Sequence, residues 1–334
     1  MSEFFFEYGL FLAKTATLVV ALLGLIAGIV LLASRGRDLS REKLEIKKVN
    51  DKFQQMSRAL QEELLAKDEL KALDKEEKKE HKKREKEDSR RQRLFVLDFD
   101  GDIKASALES LREEITAVLT VAKPEDEVFI KLQSGGGLVH AYGLAASQLN
   151  RVRERNIPLT VAVDKIAASG GYMMACVADR IIAAPFAIIG SIGVIAQIPN
   201  FHRLLKNHDI DFEQITAGEF KRTLTLFGEN TDKAREKFKE EIEDTHALFK
   251  EFISEHRPQV DIESVATGEH WPASRAINYQ LVDELTTSDD YLLRRSQEAD
   301  IFEISYNLRK PLAARLGGFV QSTIEKFLLS RPTP

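Results

Sequence analysis

The sequence is poor in cysteine, close to neutral overall, and without the common phosphate-binding motifs. Its 334 residues include one cysteine, Cys176, which excludes an internal disulfide framework and a thiol-rich zinc site. The formal net charge of -5 is small for this length and hides a segregated distribution of charges. Neither Gly-x-x-x-x-Gly-Lys-Ser/Thr nor Gly-x-Gly-x-x-Gly occurs, so the sequence predicts neither a P-loop nor a dinucleotide fingerprint.

The amino-terminal residues form one long apolar run. No charged side chain occurs from residue 15 to residue 33, and about 20 apolar residues suffice to span a bilayer. A secretory signal peptide is the alternative, but its apolar region is roughly 7–15 residues and ends in a small-x-small cleavage site. Because this run is longer and stops at Arg35 and Arg37, we predict a transmembrane anchor over residues 1–36.

Residues 37–93 are strongly charged, and we predict a helical spacer there. After Leu73, lysine, glutamate and arginine dominate, which is typical of a solvated helix or a disordered spacer. Acidic residues match the basic ones and no aromatic residues are interleaved, so we predict no nucleic-acid binding. Before Leu73, apolar residues recur at steps of three and four, the pattern of a coiled-coil seam. These are Ile46, Val49, Phe53, Met56 and Leu60.

From residue 94 to residue 300, predicted strands and helices alternate. This alternation indicates α/β architecture built from βαβ units, with a sheet covered on both sides. Residues 301–334 are predicted to form a tail with an amphipathic helix at 311–329. The predicted strands are 94–99, 127–132, 159–163, 180–184 and 192–196, and the principal helices are 107–122, 138–153 and 231–256.

Two turns of small residues follow neighbouring strands of this predicted sheet. Gly135, Gly136 and Gly137 follow the second strand, and Ser169 and Gly170 follow the third. Ligands bind outside the carboxyl ends of strands in open α/β sheets, and free N–H groups there can stabilise an oxyanion. A nucleophilic serine is therefore one interpretation. A phosphate cradle, and a Ser169 that merely caps a helix, are alternatives that these residues leave open.

A nucleophilic serine needs a base, and none of the seven histidines lies in an obvious base-presenting motif. Lys221 follows a turn at Gly218 and is a second candidate. A lysine acts as a base only when neutral, so its pKa must fall from about 10.4 through burial. The hydroxyl of Ser191 is a candidate to hold the neutral amine. Spacing alone, however, favours a solvated surface cation at Lys221.

Three motifs in order resemble the signal peptide peptidase A family of membrane serine peptidases over residues 95–292. The resemblance implies a ClpP/crotonase-type fold and a Ser–Lys dyad, with Ser169 as nucleophile and Lys221 as general base. The motifs are Ala168-Ser169-Gly170-Gly171-Tyr172, Gly190-Ser191-Ile192-Gly193-Val194 and Gly218-Glu219-Phe220-Lys221.

The resemblance also implies roles for other residues and for partners. Ser191 would orient the lysine amine, and Gly136 and Gly170 would supply the oxyanion N–H groups, with no metal or cofactor. Family members form homo-oligomeric rings in which neighbouring subunits shape or complete the active sites. Gly135 departs from the pattern, because relatives usually have proline there. That departure leaves the choice of oxyanion glycine open.

Two signals disagree about the orientation in the membrane. Basic residues after the span, from Arg35 to Lys48, predict that the carboxyl-terminal bulk lies in the cytoplasm. The resemblance implies a periplasmic catalytic domain on a single-pass protein of the bacterial inner membrane. We carry the periplasmic orientation forward and keep the cytoplasmic one as its alternative.

The sequence as a whole predicts a membrane-anchored serine endopeptidase. Its substrates would be membrane-derived or unfolded peptides, such as signal peptide remnants. Two functions of other classes stay open. One is a crotonase-like acyl-CoA enzyme that uses the same oxyanion glycines, and the other is a non-catalytic membrane scaffold.

Overall fold

The computed structural model describes residues 2–35, 43–86 and 91–307, which fall into two compact units. The first unit contains α1 (Ser2–Arg35), one continuous helix through the apolar run. Among the described residues, no helix meets the length and apolarity that a membrane crossing requires. The anchor at residues 1–36 stays a prediction from the sequence.

The second unit, residues 44–306, is an α/β domain. Its helices are α2 (Val49–Leu64), α3 (Lys67–Lys86), α4 (Leu108–Leu119), α5 (Val139–Arg153), α6 (Gly170–Ala175), α7 (His202–Asn207), α8 (Asp232–His256), α9 (Ile262–Val265), α10 (Ala273–Ala276) and α11 (Ser288–Arg295). Its strands, of which the first begins one residue earlier, are β1 (Lys43–Lys48), β2 (Gln92–Gly101), β3 (Glu127–Ser134), β4 (Leu159–Val163), β5 (Ile166–Ala168), β6 (Arg180–Ala183), β7 (Ile188–Gly190), β8 (His270–Pro272), β9 (Glu284–Leu285) and β10 (Ala299–Asn307).

The ten strands form one sheet, and its central part is parallel. The main path runs in the order β1-β10-β2-β3-β4-β6-β9, and β5, β7 and β8 continue from β3 beyond the end of β4. From β10 to β9 every pairing on the main path is parallel, as are β3 with β5 and β5 with β7. Only β7 with β8 is antiparallel among the described pairings. The predicted α/β architecture is confirmed.

Apolar side chains along β2 point alternately to the two faces of the sheet, which explains why helices cover both faces. Phe95, Leu97 and Phe99 point into the larger hydrophobic cluster, which α4, α5 and α6 cover. Leu94 and Val96 point into a smaller cluster on the opposite face. That smaller cluster includes residues of α11 and the first residue of α2. The carboxyl ends of β3, β5 and β7 therefore emerge from a rigid, doubly covered sheet.

The predicted charged helix at residues 37–93 is wrong in its first described part. Residues 43–48 form β1, which lies beside β10 at the edge of the sheet, and the following helical region is divided at Leu65 and Ala66. Val49 is buried in the smaller cluster and Phe53 packs against it, so these residues belong to the domain core. The side chain of Asn50 links the start of α2 to β10. Its Nδ2 donates to Ala299 O at 2.9 Å, and its Oδ1 accepts from Ile301 N at 2.7 Å.

Two other boundaries differ from the prediction. The strand expected at residues 192–196 is instead β7, which ends before Ser191 because that residue has a φ of 52°. The α/β domain predicted at residues 94–300 also continues past residue 300, since β10 pairs with β2 from Ala299 to Glu303. The amphipathic helix predicted at 311–329 lies outside the described residues.

Candidate active site

Ser169 lies between β5 and α6, at the carboxyl end of a strand. Its backbone has a φ of 52° and a ψ of -121°, a conformation that non-glycine residues rarely adopt. The Ser169 N–H donates to Gly190 O at 2.8 Å, and its side chain makes no cap bond to α6. Strained positions of this kind concentrate at functional sites. The structure therefore does not support the alternative in which Ser169 serves as a helix cap.

Gly136 brings the glycine turn against the serine turn. Its φ is 87°, and a Cβ placed on it would lie 2.7 Å from both Gly170 N and Ser169 Cβ. Such distances are too short for any side chain, so the two turns approach this closely because residue 136 is glycine. The structure thus brings together three of the predicted site residues: Ser169, Gly136 and Gly170.

The N–H groups of the glycine turn are not equivalent. Gly136 N donates to Ser134 Oγ at 3.1 Å, so this N–H already has a partner within the chain. Gly137 N and Gly170 N have no hydrogen-bond partner among the described residues, and both residues line the cavity that Ser169 borders. The geometry favours Gly137 over the predicted Gly136 as the companion of Gly170.

A buried tyrosine that the sequence did not single out supports the glycine turn. The hydroxyl of Tyr142, on α5, bonds to Ser134 Oγ and donates to Asp102 O at 2.7 Å. Its side chain is completely buried, and burial raises the pKa of Tyr142, which keeps this hydroxyl protonated. In the sequence it shares an apolar helix face with Ala145, Ala146 and Leu149, so the pattern indicates only a core residue.

Ser191 occupies the position on β7 that corresponds to Ser169 on β5. Ala168 pairs with Gly190 in parallel register. Ser169 directly follows Ala168, and Ser191 directly follows Gly190. Neighbouring strands lie about 4.8 Å apart, which brings the two turns side by side. Ser191 also has a φ of 52°, and its N–H donates to Glu269 O at 2.6 Å. The Ser169 and Ser191 motifs therefore lie at the same edge of the sheet, a juxtaposition that the sequence analysis did not predict.

A small apolar cavity of about 80 Å³ opens beside Ser169. Met173 lines its base from α6, and Thr245 and Phe249 reach it from α8. No histidine lines it among the described residues. The remaining lining residues are Gly137, Val139, Tyr142, Gly170, Gly193, Val194 and Ile195.

A buried arginine lies close to the helix that follows Ser169, since its charge acts on Tyr172 and Cys176. Arg257 binds both carboxylate oxygens of Asp283 at 2.8 Å, and its side chain is 2% exposed. Tyr172 donates from its hydroxyl to Leu281 O at 3.1 Å in the same region. Burial raises the pKa of the Cys176 thiol, which leaves it protonated and unreactive there. These contacts hold the serine turn in place.

Lys221 lies apart from this constellation within the single chain. It is exposed, in the segment between α7 and α8, and its backbone N–H donates to Gly218 O at 3.2 Å. Within the described part of the chain, no hydrogen bond or ion pair joins its amine to Ser169 or Ser191, and it does not line the cavity. The burial expected of a lysine base is absent from one copy of the chain.

Comparisons with known proteins match nearly the whole chain. The model of the Peptidase family S49 N-terminal region matches residues 3–149, and that of Peptidase family S49 matches residues 151–301. A relative named "Probable protease SohB" in Haemophilus influenzae is 51% identical over 322 residues, covering 93% of this chain and 91% of its own.

Relatives of the same name occur in Buchnera aphidicola. In the subspecies from Schizaphis graminum the identity is 44% over 330 residues, covering 97% of this chain and 96% of the relative. In the subspecies from Acyrthosiphon pisum it is 55% over 241 residues, covering 72% of each. Both alignments are long enough to include the serine turn and the strands that carry it.

Proposed function

Because the chain belongs to peptidase family S49 and is a peptidase, we propose that it is a serine endopeptidase with Ser169 as its nucleophile. The observation that carries this proposal is the strained serine turn. Ser169 stands at the end of β5 with a φ of 52°, beside an apolar cavity and next to two N–H groups that have no partner in the described part of the chain. We also propose the ClpP/crotonase type of fold for the domain.

Lys221 is the proposed general base, and Ser191 is the proposed support for its amine. The family resemblance supports Lys221, and the side-by-side position of Ser169 and Ser191 supports the second role. A neutral amine requires a dry site, since water favours the charged form. Lys221 must therefore be covered by something other than the described contacts of its own chain.

The reaction we propose proceeds through an acyl-enzyme. Neutral Lys221 takes the proton of Ser169 Oγ as that oxygen attacks the scissile carbonyl carbon. The oxyanion accepts hydrogen bonds from Gly170 N and Gly137 N, with Gly136 shaping the turn. Protonated Lys221 then gives its proton to the leaving amine. Neutral again, it activates the water that hydrolyses the ester and releases Ser169.

A neighbouring subunit is the proposed cover for the segment that carries Lys221. Exposed apolar side chains are concentrated between residues 195 and 227, and contiguous apolar surface of this kind marks interaction sites. We propose that homo-oligomers form through this segment and complete the site. The exposed residues are Ile195, Ile198, Phe201, Leu204, Ile210, Phe212, Ile215, Phe220, Leu226 and Phe227.

The proposed substrates are membrane-derived or unfolded peptides, such as signal peptide remnants. An apolar cavity beside the nucleophile suits the side chain of a hydrophobic peptide. Anchoring through residues 1–36 in the bacterial inner membrane, with the catalytic domain in the periplasm, would place the enzyme near such peptides. The uncharged run within α1 supports the anchoring.

Labelling with a fluorophosphonate tests the nucleophile directly. The full-length chain in detergent should be modified at one serine, and peptide mass spectrometry should identify that serine as Ser169. The variant Ser169→Ala should lose the label, whereas Ser147→Ala, a change at an exposed helical serine outside the cavity, should keep it. A label that persists in Ser169→Ala, or that maps to another serine, contradicts the proposal.

A further inference from the structure

A second cavity lies at the opposite end of the sheet from Ser169. It measures about 520 Å³, within the roughly 300–1,000 Å³ typical of small-molecule sites. The first residues of five parallel strands line it, so it opens at the amino end of the sheet. We call it the amino-end cleft, and these five residues are Gln92, Glu127, Leu159, Arg180 and Glu284.

The carboxylates of the amino-end cleft already have partners within the chain. Glu127 accepts from Thr160 at 2.8 Å, from Tyr291 at 2.6 Å and from Arg295 at 3.0 Å. Glu284 binds an arginine on each oxygen, namely Arg180 and Arg294. Asp179, the third carboxylate that lines the cleft, accepts from Leu159 N at 2.9 Å and pairs with Arg153 at 3.1 Å. Each of the three carboxylates is therefore already paired with groups of the chain.

The arginines of the amino-end cleft keep donors to spare. Arg180 uses Nη2 alone, so Nε and Nη1 have no partner among the described residues, and its side chain is 49% exposed. Arg294 likewise retains Nη1 after bonding through Nη2 and Nε. The Nε of Arg295 is buried and has no hydrogen-bond partner. Unused guanidinium donors on three side chains can together bind an acceptor-rich group.

The arginines are also held in position before any ligand arrives. Arg180 lies over the ring of Tyr291, 6.0 Å from its centroid, and that ring stacks on Phe129 at 4.9 Å. Arg294 and Arg295 are anchored at the end of α11 by Glu284 and Glu127. A planar guanidinium fixed in this way suits two-point hydrogen bonding to an oxyanion.

We infer that the amino-end cleft binds a small oxyanion, carrying phosphate or carboxylate groups, between Arg180, Arg294 and Arg295. The site is distinct from the serine turn, because it lies at the other end of the same strands. The oxyanion site does not depend on the proposed peptidase chemistry, and it is tested by measuring ligand binding rather than activity.

Calorimetric titration of the full-length chain tests the inference, with inorganic phosphate and succinate as separate probes at constant ionic strength. We expect saturable one-site binding of at least one probe in the millimolar range or tighter. Phosphate binding alone identifies a phosphorylated ligand, succinate binding alone identifies a carboxylate ligand, and both outcomes support the site. Saturable binding of neither probe overturns it.

Variants locate the site. The double variant Arg180→Gln with Arg294→Gln should weaken binding by at least about tenfold, since it removes two charge-assisted contacts. Arg112→Gln, which alters a surface arginine paired only with Glu109, should bind as the wild type does. If the double variant fails to fold, Arg180→Lys keeps the charge but loses the planar fork, and should still weaken binding. Unchanged affinity in the folded Arg180 variants contradicts the assignment.

Discussion

The serine turn and the segment that carries Lys221 are built in opposite ways. Ser169 is held by backbone bonds, by neighbouring glycines and by a buried helix whose Tyr172 donates to Leu281 O. Lys221 lies in a segment rich in exposed apolar side chains, and Ile215 within it is 95% exposed. One half of the proposed catalytic pair is thus prebuilt by the fold of a single chain. The other half requires a further surface to bury it.

The largest expected effect on activity comes from a substitution at Lys221, the exposed residue of the proposed catalytic pair. Lys221→Ala should lower kcat for a fluorogenic peptide by about 1,000-fold, the scale of general-base catalysis. Its thermal midpoint should stay that of the wild type, because the side chain is exposed in the single chain. Lys239→Ala, a change at an exposed lysine on α8 outside that segment, serves as the control and should alter neither quantity. Full activity in Lys221→Ala would remove this residue from the mechanism.

The serine turn can be disrupted by a substitution in the neighbouring glycine turn. Gly136→Ala should reduce kcat by about 100-fold, because the added Cβ would lie 2.7 Å from Gly170 N and displace the oxyanion donors. Gly143→Ala is the matched control, since a Cβ there meets nothing within 4 Å. In α5 that change should stabilise the protein by about 0.5–1 kcal/mol and leave kcat alone. Equal behaviour of the two variants would contradict the close approach of the turns.

A smaller effect should follow from a change in the apolar segment itself. Ile215→Asp should weaken self-association, and activity at dilute enzyme should fall by about tenfold, equivalent to about 1.4 kcal/mol of lost contact. Sedimentation velocity and peptide hydrolysis over a range of enzyme concentrations measure both quantities. Val121→Asp, at an exposed position after α4, is the control and should change neither. A fully active Ile215→Asp monomer would show that no second subunit covers Lys221.

The smallest effect on activity, but a clear effect on stability, is expected at Glu114 in the packed core. Burial raises the pKa of Glu114 to about 7, and Asp98 adds like-charge repulsion, with Lys131 and Glu303 facing Asp98. The folded chain therefore holds this proton more tightly than the unfolded chain. Stability should fall as the pH rises from about 4.5 towards 7, and then level off.

Glu114→Gln tests that dependence, since glutamine cannot ionise yet can still accept from Tyr306 N. Above pH 7 the variant should be more stable than the wild type by up to about 3 kcal/mol, and near pH 4.5 the two should agree. Urea denaturation across this pH range measures the difference. Glu113→Gln, one residue earlier and exposed, should show no such divergence. Parallel pH profiles for wild type and Glu114→Gln would contradict the assignment.

Local patterns in the sequence were sufficient for the centre of the domain. The apolar run at residues 159–163 predicted β4 with its observed bounds, and the small residues after it predicted the serine turn, although Ser169 follows the unpredicted strand β5 rather than β4. These elements are short, buried and flanked by small residues, so their signals are local. The pairing of β5 with β7, by contrast, was not predicted, because the strand expected near Ser191 was placed at residues 192–196.

The failures of sequence reasoning share one physical cause, which is pairing between distant segments. Charged residues 43–48 form a strand because they pair with the edge of β10, more than 250 residues later in the sequence. No local sequence pattern indicates this pairing. Tyr142 supports the glycine turn through hydrogen bonds across the fold, yet its spacing is that of a core residue. The partner that would bury Lys221 is equally invisible in one sequence.

Asn50 has a practical consequence for any shortened form of the protein. Its side-chain amide connects the start of α2 to β10 through hydrogen bonds with Ala299 and Ile301. Cutting the chain near residue 93, where its composition changes, would strip β1 away and leave a row of open backbone groups. Bare strand edges recruit other chains into aggregates, so a trimmed form should begin before Lys43.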